Sequence, residues 1–195
     1  MNKFKITALF AISIFATTCS NDQMLRTRAN ELAQKFIITD GHIDTPWKLS
    51  KNYEDISVRT KTGDFDYVRA KEGGLDVPFM AIYIPSSYLE TGGAKEKADS
   101  LIDMVEQIAN KDPDKFEIAY SLSDANRIFK EGKVALPMGM ENGAGIEDDI
   151  KNLKHFYDRG IRYITLTHSK DNLICDSSYD EEEDTWGGLS PYGRK

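Results

Sequence analysis

The chain has 195 residues with 25 Lys and Arg, 32 Asp and Glu, three His and two Cys, a formal net charge of -7. That length suits one domain, and 40% apolar with 29% charged residues is a globular rather than a disordered composition. The acidity argues against a nucleic-acid binder, which needs a basic face for phosphates, and two distant cysteines exclude a disulfide- or zinc-stapled miniature fold.

Lys3 and Lys5 precede an apolar run from Ile6 to Ala16 and small residues beyond it. The run falls short of the ~20 residues a membrane helix needs, so residues 1–18 are expected to be a secretory signal. The stretch Ala16-Thr17-Thr18-Cys19 resembles a bacterial lipoprotein signal, in which the cysteine is lipidated, although Thr18 departs from its usual small residue. The chain is then exported, to a bacterial envelope or beyond it, and any membrane contact runs through a lipid on Cys19.

Leu25, Ala29, Leu32 and Phe36 follow helical spacing. Phe36 to Thr39 reads as a short buried strand running into Asp40-Gly41, and residues 48–72 as a polar, irregular loop. Val77 to Ile84 is a second strand, closed by Pro85. Ala94, Ala98, Leu101, Val105 and Ile108 mark a long helix. Ser121 with Asp124 three residues on resembles a capping box opening a shorter helix, with Gly132 as its stop. Val134 to Met140 is a third strand, in which Pro137 deletes one ladder hydrogen bond. Ile146, Ile150, Leu153 and Tyr157 form a further helical stripe, ended by Gly160, before a fourth strand at Arg162 to Thr167.

Strands alternating with helices imply an α/β fold with a parallel sheet, whose chemistry collects where the strands end. His42 and Asp44 leave the first strand, Glu141 the third and His168 the fourth. Residues two apart in extended chain share a face, so His42 and Asp44 can aim nitrogen and oxygen at one point, a donor set that suits zinc. Each residue alone also reads blandly: His42 as a turn residue, Glu141 as part of a Glu-Asn-Gly turn, His168 as a strand terminus. Their coincidence on one rim is what points to a site. His155 lies off its helix stripe and reads as a surface residue, Cys175 as a packed thiol, and the acidic run 180–184 as a solvated loop.

The segments Asp40-Gly-His-Ile-Asp-Thr-Pro-Trp47, Gly73-Gly-Leu-Asp-Val-Pro-Phe-Met-Ala-Ile-Tyr-Ile-Pro85, Gly139-Met-Glu-Asn-Gly143, Tyr163-Ile-Thr-Leu-Thr-His168 and Gly188-Leu-Ser-Pro-Tyr-Gly193 resemble, in order and spacing, the membrane (renal) dipeptidase family of zinc metallopeptidases. The resemblance implies a (β/α)8 barrel of TIM type, with residues 19–195 its N-terminal portion. It also implies two zinc ions, dipeptide substrates, His42 and Asp44 on one metal, Glu141 bridging both, and His168 as the catalytic residue contacting substrate. Asn142 replaces a usual Gly, and the family's later metal-binding histidines have no counterpart here. This chain is therefore expected to be an inactive, incomplete half-barrel whose unpaired strand edges favour self-association. A non-catalytic envelope lipoprotein and another metal-dependent amidohydrolase are the alternatives.

Overall fold

The computed structural model describes residues 21–180 and 184–195. The expected signal segment and Cys19 lie outside the described residues. Among the described residues no helix is long and apolar enough to cross a membrane. Residues 21–35 form helix α1, as their spacing predicts, with Leu25 and Phe36 largely exposed. From Ile38 onward the chain builds a separate compact α/β unit.

The order of that unit is β1 (Ile38–Ile43), α2 (Thr45–Lys51), α3 (Tyr67–Gly73), β2 (Leu75–Tyr83), α4 (Tyr88–Thr91), α5 (Ala94–Lys111) and β3 (Phe116–Ile118). It continues with α6 (Leu122–Lys130), β4 (Val134–Leu136), β5 (Met138–Glu141), a 3-10 turn at Gly143–Ile146, α7 (Lys151–Asp158) and β6 (Ile161–Thr165). Four strands pair in the order β1-β2-β5-β6, every pair parallel. The expected parallel α/β arrangement is present, and it is compatible with part of a barrel.

Alternation along β2 explains how the sheet separates packing from chemistry. Met80, Ile82 and Ile84 are fully buried, in one core with Leu101, Ile102 and Val105 of α5 and Met138 and Met140 of β5. Each such side chain contributes about 1.5–3 kcal/mol by leaving water. On the opposite parity Val77 and Ala81 are buried as well, but Phe79 and Tyr83 on β2, Glu141 on β5 and Tyr163 on β6 stay partly exposed. Tyr83, Glu141 and Thr165 align in one row across the strand ends.

Several expectations change. The first strand starts at Ile38, not Phe36, and is mostly exposed, because it pairs only with β2 and forms an edge. Residues 48–72 are not simply a loop. Pro46 opens α2 at a position that needs no N–H, and Asp66 caps α3 by accepting from Arg69 N at 2.8 Å. Burial raises the Asp66 carboxyl, but donors from Arg69 and Thr60 and the Arg69 charge outweigh it and hold it below its usual value.

The strand expected at 134–140 is two strands. β4 pairs with β3, which sequence reading missed, in a separate two-stranded sheet, and β5 pairs with β2. Pro137 sits at the break; it lacks a donor but its carbonyl still accepts from Met80 N at 2.8 Å. The stripe expected on α7 is also corrected. Ile150, Leu153 and Tyr157 are exposed, whereas Phe156 is fully buried. The capping expectation at α6 holds, with Asp124 N donating to Ser121 Oγ at 3.1 Å, and Gly132 following at φ 76°.

Candidate metal centre

The sequence-predicted residues do converge. His42 Nε2 lies 3.5 Å from Asp44 Oδ1 and 3.2 Å from Glu141 Oε2, while the other Glu141 oxygen, Oε1, lies 3.2 Å from His168 Nε2. One carboxylate thus faces two imidazoles, one through each oxygen. Glu141 is the most sheltered of the set, its side chain 17% exposed against 53% for Asp44.

The way they converge differs from simple strand alternation. The β1–β2 register slips between Asp40 and Ile43, an irregularity of the kind that re-aims side chains beside functional sites. His42 N donates to Asp40 Oδ1 at 3.0 Å within that slip. Asp44 is already off the strand, at the N-cap of α2 with φ -79° and ψ 17°, and its side chain makes no capping bond. Its carboxylate is therefore available to face His42. His168 lies three residues beyond the end of β6, not at it.

Asn142, next to Glu141, has φ 80°, a left-handed backbone that favours glycine. Its amide compensates from a buried position. Nδ2 donates to Ile84 O at 3.0 Å, Oδ1 accepts from Ala144 N at 3.2 Å and Asn172 Nδ2 at 3.1 Å, and the backbone N donates to Thr165 Oγ1 at 2.9 Å. These bonds join the ends of β2, β5 and β6 beneath Glu141.

The aromatic surroundings were not singled out by sequence reading. Tyr83 packs edge-on against His168 with ring centroids 5.0 Å apart, and Trp47 against Tyr83 at 5.2 Å. Burial pushes the Tyr83 phenol up, and the charges of Glu141 and Asp44 add to it. Burial likewise raises Tyr163, helped by Glu141, Asp40 and Asp44. In both, the carboxylates add to an effect that burial begins. The signal for Tyr163 was a glycine inside a strand, Gly139, which often marks close approach of another group. A Cβ at Gly139 would collide with the Tyr163 ring.

His42, Asp44 and Glu141 place one ligand atom each within 4.8 Å of one another, the one such group among the described residues. Ligands held about 2.0–2.2 Å from a tetrahedral zinc are themselves about 3.3–3.6 Å apart. The two His42 separations of 3.5 and 3.2 Å match that spacing, so the donor set fits a zinc-sized cation. His168 adds a second nitrogen beside the same carboxylate. Its Nδ1 is buried with no hydrogen-bond partner among the described residues.

The sequence profile of the membrane dipeptidase family (Peptidase family M19) matches residues 26–195. Over 192 residues the chain is 29% identical to the dipeptidase ataJ of Aspergillus terreus, covering 91% of this chain and 46% of that one. It is 31% identical over 170 residues to the dipeptidase tcpJ of Claviceps purpurea, covering 80% and 39%. Among solved structures, the probable dipeptidase PvdM of Pseudomonas aeruginosa superposes with a TM-score of 0.76 at 26% identity, over 88% of this chain and 46% of that one. A Rhodobacter sphaeroides metallopeptidase, solved with a phosphinate mimic of the dipeptide L-Ala-D-Ala, shares the fold at a TM-score of 0.68 and 22% identity, over 82% and 54%. The chain thus spans less than half the length of these two relatives.

Proposed function

Because the chain belongs to the membrane dipeptidase family, Peptidase family M19, we propose that the whole protein hydrolyses dipeptides with zinc held by His42, Asp44 and Glu141. The observation that carries this reading is the Glu141 carboxylate, with one oxygen toward His42 and the other toward His168. Bound zinc supplies a Lewis acid for the scissile carbonyl and lowers the pKa of water.

The chain's own residues have separable tasks. Glu141, on the rigid end of β5, fixes the separation between the metal cluster and His168. His168 acts as the catalytic residue, donating a hydrogen bond to the carbonyl oxygen as negative charge develops there. Tyr83 and Trp47 form an aromatic wall on the His168 side and keep water from part of the cleft.

A second ion, which Glu141 would help to hold, would need further ligands that the described residues do not gather. The 195-residue chain alone is therefore expected to take up zinc and to lack turnover at an enzymatic rate. The reading includes export through residues 1–18 and lipidation at Cys19, supported by the basic start and apolar run.

Zinc content and dipeptide hydrolysis, measured on one preparation, test these statements. Bound zinc lost in Glu141→Gln is expected. No zinc uptake would overturn the metal reading and favour a non-catalytic envelope protein. Turnover by this chain alone at about 1–10³ s⁻¹ would overturn the incompleteness, and hydrolysis of cyclic amides in place of dipeptides would overturn the substrate.

A further inference from the structure

Tyr163 belongs to β6, yet its hydroxyl oxygen lies 3.1 Å from Nδ1 of His42 on β1, at the other edge of the four-stranded sheet. Two strands intervene. The ring crosses them because β5 carries Gly139 directly beneath it, where any side chain would collide with it. Phe79 of β2 packs beside the ring, centroids 5.5 Å apart. A glycine and two aromatic rings on three strands thus serve a single contact with His42.

The hydrogen-bond roles in that contact are determined. The Tyr163 hydroxyl also lies 2.9 Å from the carbonyl oxygen of Gly41, to which it donates. A phenol has one hydrogen, and a carbonyl can only accept. With its hydrogen given to Gly41, the Tyr163 oxygen must accept from His42 Nδ1–H. In the neutral ring Nε2 is then the nitrogen with a free lone pair, and Nε2 is the atom that faces Asp44 and Glu141.

We propose that Tyr163 is a positioning residue that holds the His42 imidazole as its Nδ1–H tautomer and presents Nε2 to the metal. This rests on the metal reading above and goes beyond it. Metal-bound histidines generally need such a partner on the second nitrogen, and a carboxylate often fills the role. A phenol does so without adding another negative charge to a cleft that already holds Asp40, Asp44 and Glu141. Because Tyr163 bonds both the ring of His42 and the carbonyl of Gly41, rotating the imidazole away would break a link anchored in adjacent backbone.

The test is Tyr163→Phe, which deletes the hydroxyl and keeps the ring over Gly139 and beside Phe79. Zinc affinity is read by competition with a chromophoric chelator, and the His42 ring nitrogens by 15N NMR. The expected result is zinc binding weakened about 10–100-fold, an unchanged melting temperature of the metal-free protein, and loss of the protected Nδ1–H signal seen in the wild type. Equal zinc affinity in the two proteins, or a spectrum showing Nδ1 as the metal-bound nitrogen, would overturn the proposal. A wild type that binds no zinc at all overturns the metal reading instead. The tautomer is then decided in metal-free protein at a pH where the imidazole is neutral: Nδ1–H upholds the role of Tyr163, and Nε2–H sinks it.

Discussion

Two histidine–carboxylate clusters lie in the same α/β unit and differ in what surrounds them. On its helical layer, His155 Nε2 is 2.8 Å from Asp99 Oδ1, and the same carboxylate holds Lys95 at 2.7 Å and Arg159 at 2.9 Å. Arg159 also reaches Asp103 and Glu106. At the strand ends, the charge partners of Asp44 and Glu141 among the described residues are His42 and His168 alone. In the first cluster fixed cations pair with the carboxylates, which makes it a clamp between α5 and α7. The second has no Lys or Arg partner among the described residues, which is what the proposed metal site requires. Proximity of histidine to carboxylate therefore says little until the neighbouring Lys and Arg residues are counted.

That contrast can be broken at either end. The largest effect is expected from Glu141→Gln, which removes charge from the carboxylate shared by both imidazoles. Zinc affinity should fall at least about 100-fold, the upper end for a lost supporting contact, in a chelator competition assay. A neutral Gln that bound zinc normally would show that the uncompensated charge is not what matters.

Next comes Asn142→Ala, which keeps the φ of 80° without the amide that offsets it. Lost buried hydrogen bonds together with left-handed strain are expected to cost about 2–4 kcal/mol in urea unfolding. Zinc affinity should fall as well, because Asn142 is the residue on which Glu141 stands.

Asp99→Ala attacks the clamp, leaving Lys95, His155 and Arg159 without their shared acceptor. A loss of about 1–3 kcal/mol is expected, with zinc affinity unchanged. Burial raises the Asp99 carboxyl, but hydrogen bonds and charge from Lys95 and His155 outweigh it and hold it below its ordinary 3.8. Its stabilisation is thus present above that value and lost as pH falls through the lowered one. The acid limb of the stability curve should flatten in Asp99→Ala.

The smallest effect belongs to Lys154→Ala. Its partner Asp158 is 2.6 Å away, but both side chains are mostly exposed, and such pairs are worth roughly 0.3–0.5 kcal/mol. Thermal unfolding of Lys154→Ala should barely move.

Much of the site was legible in sequence, for a local reason. His42, Asp44, Glu141 and His168 lie at or just beyond the ends of strands whose apolar runs are visible by eye, and parallel strands bring such ends to one rim. The helix at 94–111 was legible for the same kind of reason, since its burial follows its own periodicity. Less legible were features that depend on a partner elsewhere. The α7 stripe misled because Phe156, and not Ile150 or Tyr157, meets the core. The strand β3 has three residues and too little pattern to declare itself before β4 pairs with it. Residues 48–72 concealed the end of α2 and most of α3, because these helices are started by Pro46 and the Asp66 cap rather than marked by an apolar stripe.

The sequence by itself determined which residue types stand at the strand ends, because period and punctuation are written along one chain. Only the tertiary structure decided that Tyr163 crosses two strands to His42, that Gly139 must be bare beneath it, and that Asn142 strains its backbone to seat Glu141. Those are contacts between residues distant in the chain. Their existence depends on curvature, register and the absence of a Cβ, none of which leaves a local trace.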